Sequence, residues 1–391
     1  MKHADWLTPE RIRLWATCFS IAWLFLLLVD AWAHSSQGLM DDKGEHIGRD
    51  FINYWAGAKL AVDGRAAEAY DLDAFHKFQQ SLVGDTSEWK MYSYPPVLML
   101  LTLPLAFLPF IPGLLIWSGL GIAACARLLK AETGWPVWPS VAVAAIAPPA
   151  ALWNLMAGQN GYFTAAFFAG GLALLPRKPV AAGILLGLLC YKPHMGLLIP
   201  VALLAGRHWR CFFSAAATVI CLFLGSWAAM GWDAWMGFLH QMAVQGAILK
   251  IALWHRLPTI YAALKVLGFP EVAAYAAQIL SALCAACFVF VIWKSKAAEK
   301  IKSAALLFAA FLATPYAWDY DMIVLTFAIL WLVQDGQRGR FMPWEKFTWL
   351  TVMLLPTPLM GMSQFLGFQP APFVLWLALL LAARRARAAT P

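Results

Sequence analysis

Acidic, basic and aromatic side chains occur together in several short polar segments of this 391-residue chain. The carboxylate of Asp50 could accept the proton of an attacking hydroxyl group. Lysine, histidine and arginine could hold a phosphate, and aromatic rings suit contact with the face of a sugar. Together they would suit transfer of a group from an anionic lipid. The candidate binding residues are Asn53, Tyr54, Trp55, Tyr94, Gln159, Asn160, Lys192, His194, His255, Arg256, Asp319 and Asp321.

Each candidate also has a structural explanation that needs no ligand. Asp50 precedes a helix predicted over residues 51–60, with Gly64 beyond its end, so it could be the helix N-cap. Lys192 could extend its ammonium group to the membrane surface. His194 and His255 could be polar groups at the membrane interface. Gln159, Asn160, Asp319 and Asp321 could cap the helices that follow them. The case for a site therefore depends on their joint position on one predicted face.

The composition predicts that membrane helices position these residues. Hydrophobic residues make up 62% of the chain and charged residues 13%, against about 25% charged in soluble domains. Mean hydropathy is +0.65, which excludes a soluble enzyme and a disordered chain. Runs such as 21–29 and 304–314 are continuously apolar and do not alternate, which favours helices over strands. We expect an all-α polytopic membrane protein.

The distribution of charge predicts the topology. Residues 35–94 hold 10 acidic and 6 basic residues, a net charge of −4, and the remainder holds 23 basic and 11 acidic residues, a net charge of +12. Basic clusters between apolar runs are typical of cytoplasmic loops. Placing them all inside predicts about 12 crossings in one domain, 1–391. Residues 95–126 then cross once, and residues 35–94 form a large external loop with amphipathic helices.

The sequence gives no indication of a nucleic-acid partner, a metal or a cofactor. The net charge of +8 is spread over short clusters and does not concentrate in one domain. The seven cysteines lie in or beside apolar segments, where they are interpreted as small buried hydrophobic residues. No ligand cluster of metal-binding spacing stands out.

Several short motifs, taken in order, resemble the integral-membrane glycosyltransferases of family 87. They are Asp50-Phe51-Ile52-Asn53-Tyr54-Trp55, Tyr70-Asp71, Tyr94-Pro95-Pro96, Gly158-Gln159-Asn160, Tyr191-Lys192-Pro193, Thr314-Pro315-Tyr316 and Asp319-Tyr320-Asp321. The resemblance covers about residues 48–210 and 314–321. It implies a polyprenol-phosphate-mannose-dependent mannosyltransferase with a GT-C-like helical bundle. By position, Asp50 corresponds to the family's catalytic aspartate, and the pair Asp41 and Asp42 is the second choice.

The resemblance predicts transfer of a hexose, mannose in this family, from a polyprenyl-phosphate donor to a hydroxyl group of a glycan or glycolipid acceptor. The reaction would take place at the external, periplasmic face of a bacterial-type inner membrane, with membrane lipid as a further partner. Asp50 would deprotonate the acceptor in an inverting displacement. Two alternatives stay open: a retaining reaction with two carboxylates, and a multi-pass transporter or flippase for a lipid-linked or polar solute.

Overall fold

The computed structural model describes residues 4–35, 40, 44–84, 89–249, 254–356 and 360–388. The chain is 79% helix, and the described part contains no strand. The prediction of an all-helical protein is therefore confirmed. Asp41 and Asp42, the second choice for the catalytic acid, lie outside the described residues.

The helices follow the apolar runs of the sequence. They are α1 (Pro9–Ser35), α2 (Phe51–Val62), α3 (Leu72–Val83), α4 (Pro96–Thr102), α5 (Phe110–Thr133), α6 (Val137–Ile146), α7 (Pro149–Met156), α8 (Gly161–Leu174), α9 (Pro179–Leu188), α10 (Ile199–Ala205), α11 (Trp209–Leu249), α12 (Ile260–Val266), α13 (Glu271–Lys294), α14 (Glu299–Leu312), α15 (Leu325–Arg338), α16 (Glu345–Leu354), α17 (Met360–Leu366) and α18 (Ala371–Ala388). Short 3₁₀ segments connect them at Ala66–Tyr70, Leu103–Phe107, Leu189–Tyr191, Pro193–Gly196, Trp254–Arg256 and Asp319–Val324.

Four of the described helices are long and apolar enough to cross a bilayer on their own: Glu10–Ser35, Phe110–Thr133, Trp209–Met242 and Glu271–Lys294. The pair α6 and α7, bent by 76°, would make a fifth span if it crosses as one unit. These helices indicate an integral membrane protein. They do not confirm the predicted 12 crossings, because several other apolar helices are only 10–17 residues long.

Proline explains why the apolar run 95–126 divides in two. The short helix α4 and the 3₁₀ segment after it end before Leu108, and α5 begins after Pro109. Proline lacks an amide hydrogen and disfavours a helical conformation in the residue before it. Only the second part of the run is therefore long and apolar enough to cross a bilayer on its own.

The core has two parts. In the larger, α14 is enclosed by α13, α15 and α18, and every residue from Ile301 to Leu312 is buried. In the smaller, α2 packs against α4 and the 3₁₀ segment Leu103–Phe107 and is buried on nearly all sides. The helix α3 has one buried face, formed by Phe75, His76 and Gln79. The segment predicted as an external loop thus contains a packed helical layer.

Ion pairs of Arg385 hold α18 against α15 and α16. Arg385 of α18 donates to Asp335 at 2.5 Å and, from Nε, to Glu345 at 2.9 Å. Glu345 is fully buried, and Nη2 of the arginine also contacts it. Loss of Arg385 would leave Glu345 as a buried charge without this partner, so these contacts tie α18 to α15 and α16.

Candidate active site

A cavity of about 540 Å³ lies where the start of α2, the segment before α4, the end of α7 and the segment after α14 meet. It is lined by Glu45, Arg49, Asp50, Asn53, Trp89, Lys90, Met91, Ser93, Tyr94, Trp153, Ala157, Gln159, Arg256, Tyr316, Trp318 and Tyr320. Its volume falls in the usual range for sites of small molecules. Five of the residues predicted from sequence line it: Asp50, Asn53, Tyr94, Gln159 and Arg256.

The carboxylate of Asp50 is directed away from the helix that it precedes. Asp50 occupies the N-cap position of α2, but its side chain accepts no capping hydrogen bond. Instead, Oδ2 accepts a hydrogen bond of 2.8 Å from Nε2 of Gln159, and Oδ1 lies 3.4 Å from Nζ of Lys90. The backbone amide of Asp50 donates to the carbonyl oxygen of Ala157 at 3.0 Å. These contacts replace the helix-cap explanation for this aspartate.

Gln159 is itself held by two tyrosines. Its Oε1 accepts hydrogen bonds from the hydroxyl groups of Tyr54 at 2.6 Å and Tyr94 at 3.3 Å. Burial raises the pKa of both phenols well above its ordinary value, so both stay neutral donors. Because the amide oxygen is fixed by donors, the amide nitrogen of Gln159 must point to Asp50.

The turn that carries Gln159 requires glycine at its start. Gly158 has φ of +59°, and a Cβ added there would lie 2.6 Å from Cβ of Phe51 and 2.9 Å from the carbonyl oxygen of Gly48. Three residues later, a Cβ at Gly161 would lie 2.4 Å from the carbonyl oxygen of Tyr320. This turn therefore packs directly against the turn of Asp50 on one side and the segment of Tyr320 on the other.

Arg256 is the most firmly held cation of the cavity. Its Nε and Nη2 donate to the two carboxylate oxygens of Asp319 at 2.8 and 3.0 Å. The guanidinium carbon lies 5.1 Å from the ring centroid of Trp153 and 5.6 Å from that of Trp318. Burial acts to lower the pKa of Arg256, but the charge of Asp319 raises it above the ordinary value. The arginine stays charged, and Nη1 has no acceptor among the described residues.

Lys192 and Asp321 form a closed pair behind this cavity. Nζ of Lys192 donates to Oδ1 of Asp321 at 2.5 Å, and both side chains are almost completely buried. The ammonium group also lies 4.8 Å from the ring centroid of Tyr320, which lines the cavity. Burial lowers the pKa of Lys192 and raises that of Asp321, and each charge opposes the effect of burial on its partner. Lys192 is thus adjacent to the cavity but does not line it.

Comparison with known families decides what kind of site this is. A model of glycosyltransferase family 87 matches residues 92–315, which is more than half of the chain. The chain belongs to glycosyltransferase family 87. Searches of curated proteins and of solved structures gave no match. The matched region includes Tyr94, Gln159, Lys192 and Arg256, whereas Asp50 precedes it.

Membership of family 87 makes the protein a glycosyltransferase, which uses a sugar donor and an acceptor. With the long apolar helices described above, it is a glycosyltransferase of the membrane. Among the described residues, no group of three or more histidine, cysteine, aspartate or glutamate side chains is placed to hold a metal ion.

The remaining sequence-predicted residues of this family 87 enzyme lie outside the cavity lining. His194 packs edge-on to Tyr316, and burial, with the charge of Lys192 nearby, lowers its pKa to about 3, so it is neutral. His255 contacts Gln364. Trp55 donates from Nε1 to the carbonyl oxygen of Leu108. Asn160 is fully buried, and its side-chain amide has no partner among the described residues.

Eleven of the sixteen lining residues were not among the candidates predicted from sequence, and Trp89, Lys90 and Trp153 are three of them. Lys90 could have been proposed as a candidate from the sequence, because it is a basic residue in the acidic segment 35–94 and lies just before Tyr94. Trp153 was interpreted as the end of an apolar run. Its contact with Arg256 depends on a residue more than 100 positions away, which no local pattern reveals.

Proposed function

We propose that this protein transfers a hexose from a polyprenyl-phosphate donor to a hydroxyl group of a glycan or glycolipid acceptor, with Asp50 as the general base. Mannose is the sugar that the family resemblance favours. The observation that carries the proposal is that the carboxylate of Asp50 and the guanidinium group of Arg256 line one cavity. A base for the acceptor and a cation for the donor phosphate are thereby available in the same space.

The proposed reaction is a single inverting displacement. The acceptor hydroxyl gives its proton to Asp50 as its oxygen attacks the anomeric carbon. The bond from that carbon to the phosphate oxygen breaks, and the phosphate leaves with the electron pair. Because a phosphate is a good leaving group, no general acid is needed, and Arg256 stabilises its charge through Nη1. Trp153 and Trp318 hold the guanidinium plane, and Asp319 positions it.

The charges at the other end of the bundle support an external location for this site. The helices α5 and α8 begin near Asp50 and Gln159. The helix α14 begins at the opposite end of the bundle and runs towards the cavity. At that opposite end Lys300 lies 2.8 Å from Glu132, and further basic residues gather there, namely Lys130, Arg177, Lys178 and Lys302. Basic ends of membrane helices favour the cytoplasm. The cavity with Asp50 would then face outwards in a GT-C-like bundle.

The test is transfer by the purified full-length protein in detergent. Labelled polyprenyl-phosphate mannose, polyprenyl-phosphate glucose and a nucleotide sugar are each offered with a membrane-lipid extract as acceptor. We expect label to move from a polyprenyl-phosphate sugar, and Asp50→Asn to lower this rate by about 10²- to 10⁴-fold. Asn keeps the size of the side chain and can no longer accept the proton.

Two results would contradict the proposal. Full turnover by Asp50→Asn, correctly folded by size-exclusion profile, would remove Asp50 as the base. Movement of a solute across sealed vesicles, with no transfer in detergent, would favour a transporter, since transport needs two compartments and transfer does not.

A further inference from the structure

The aromatic rings that line the cavity differ in how much of their surface is exposed. Trp89 is 57% exposed, whereas the other rings are buried or half-buried. Each of those other rings contacts a cation or a further ring of the protein, and they are Tyr94, Trp153, Tyr316, Trp318 and Tyr320. Trp89 is thus the lining ring that offers the most surface to a ligand.

One face of Trp89 is covered by His76. The two rings are nearly parallel, with 12° between their planes and 4.3 Å between their centroids. His76 lies on the buried face of α3, and its Nδ1 has no hydrogen-bond partner among the described residues. The imidazole therefore supports Trp89 as a flat surface. Because His76 covers one face, the exposed area of Trp89 is its opposite face and its edge.

The chain at Trp89 is attached to the part of the cavity that contains the proposed base. Nε2 of Gln79 in α3 donates to the carbonyl oxygen of Lys90 at 3.4 Å and to Oδ1 of Asn53 at 3.0 Å. Asn53 lines the cavity from the first turn of α2. Nζ of Lys90, the residue after Trp89, lies 3.4 Å from Oδ1 of Asp50.

This position suits the acceptor and not the phosphate of the donor. The base must contact the acceptor hydroxyl, whereas the donor phosphate would pair with the guanidinium group of Arg256. A sugar ring presents C–H groups on its face and hydroxyl groups at its rim, and a flat aromatic surface fits the first. Next to Asp50, the exposed face of Trp89 therefore suits the ring that carries the attacking hydroxyl.

We propose that the acceptor is a saccharide and that its sugar ring stacks on the face of Trp89 opposite His76. This inference rests on the proposed function, and the bonds made and broken are those of the displacement described above. The stacked ring directs one of its own hydroxyl groups to Asp50. Transfer would then occur to a ring hydroxyl, and not to a hydroxyl on a flexible chain such as glycerol or a serine side chain. His76 is a positioning residue for Trp89.

A second role for an exposed tryptophan in a membrane protein is to anchor the protein at the lipid interface. The two roles have different kinetic consequences. An anchor would influence the access of both lipid-linked substrates, so its loss would raise KM for donor and acceptor together. A stacking surface next to the base would change KM for the acceptor alone.

Steady-state transfer by the purified full-length protein, in a detergent without a sugar headgroup, measures the two constants. The donor is the polyprenyl-phosphate sugar that the wild-type protein uses, and a membrane-lipid extract supplies the acceptor. We expect Trp89→Ala to raise the acceptor KM by about 10- to 100-fold, with donor KM and thermal stability unchanged. Trp89→Phe, which keeps a smaller ring, should lie between the two. The matched control is Trp138→Ala, at an 80% exposed tryptophan of α6 outside the cavity lining.

Variants of His76 test its positioning role. We expect His76→Ala to raise the acceptor KM by about three- to tenfold, because Trp89 loses its support. His76→Phe keeps a flat ring in the same place and should restore most of the affinity. A loss of equal size in both variants would show that the stacking of the two rings is not what matters.

Competing ligands test the saccharide class directly. Octyl glycosides of mannose, glucose and galactose are compared with octylglycerol, which has the same tail and free hydroxyl groups but no ring. In the wild-type protein we expect at least one glycoside to inhibit transfer to the extract at a concentration about tenfold lower than octylglycerol. Trp89→Ala should abolish this preference.

Three results would overturn the inference: an unchanged acceptor KM in Trp89→Ala, an equal rise of donor and acceptor KM, or no preference for any glycoside over octylglycerol. Failure of the proposed function is distinguishable from these results. If Asp50→Asn abolishes transfer while Trp89→Ala keeps the acceptor KM, only the role of Trp89 falls. If the wild-type protein moves no label from any polyprenyl-phosphate sugar, both proposals are wrong.

Discussion

Nε2 of Gln159 donates a hydrogen bond of 2.8 Å to Oδ2 of Asp50, a residue 109 positions earlier in the chain. The contact joins the region that matches family 87 to an aspartate that precedes it. It also fixes the direction of the carboxylate, since the other end of the amide is held by Tyr54 and Tyr94. The carboxylate of the candidate base is thus oriented by the hydrogen-bonded side chains of Gln159, Tyr54 and Tyr94, which are mostly buried.

Loss of the hydrogen bonds that orient Asp50 should slow the reaction without removing the base. Gln159→Leu keeps the approximate size of the side chain but loses the hydrogen bond to Asp50, and we expect kcat to fall by about 10- to 100-fold. Tyr54→Phe removes one neutral donor to Gln159 and should lower kcat by about three- to tenfold. Steady-state transfer assays measure both. Tyr275→Phe, in α13 and outside the cavity lining, is the matched control, and an equal loss there would contradict an orienting role.

Asp319 should act on donor binding through Arg256. Asp319→Asn weakens the two hydrogen bonds that position the guanidinium group, so we expect KM for the donor to rise about tenfold, with a smaller change in kcat. Arg256→Lys should have a larger effect, because lysine cannot reproduce the forked contact or the stacking on Trp153. A titration of donor concentration separates the two constants. A fall in kcat at constant KM would argue against this role.

Removing one partner of the buried pair of Lys192 and Asp321 should lower the free energy of unfolding strongly. Lys192→Met leaves the carboxylate of Asp321 buried without its partner, and we expect a loss of about 3–5 kcal/mol in the free energy of unfolding. The double variant Lys192→Met with Asp321→Leu removes both charges and should recover most of that loss. Thermal unfolding in detergent provides the comparison. A double variant that is no more stable than the single one would show that the ion pair itself is needed.

Gly158→Ala tests whether the contact between two turns fixes the position of Asp50. The new Cβ would meet Phe51 and Gly48 in a backbone conformation with φ of +59°, so we expect destabilisation of about 1–3 kcal/mol and loss of transfer. Gly119→Ala is the matched control, because a Cβ at Gly119 of α5 meets nothing within 4 Å. Wild-type thermal stability and activity in Gly158→Ala would contradict this explanation.

Helix positions were accessible from the sequence because apolar runs end where polar residues begin. The run predicted over 272–293 is observed as Glu271–Lys294, and the run predicted over 162–175 is observed as Gly161–Leu174. The helix after Asp50 was also predicted, although its cap was not as expected. In α2 the aspartate side chain has partners from outside the helix, and local capping preferences contain no information about them.

Contacts between residues that are distant in the chain could not be predicted from the sequence. The sequence placed Lys192 among the phosphate-binding candidates, but its pairing with Asp321 depends on how α9, α10 and the segment after α14 meet. Lys90 was missed for the same reason, because its relation to Asp50 appears only when the first polar segment is folded. The resemblance identified the family, whereas the pairing of charges required the tertiary structure.

The cluster around Arg385 has a practical consequence for reporters attached near the C-terminus. A fluorescent protein joined before residue 385 would delete the guanidinium group and leave the carboxylate of Glu345 buried without it. Attachment after residue 388 would keep that group, and a flexible spacer would keep the added protein clear of α15 and α16. Detection of this enzyme in cells therefore depends on where the fusion point is chosen.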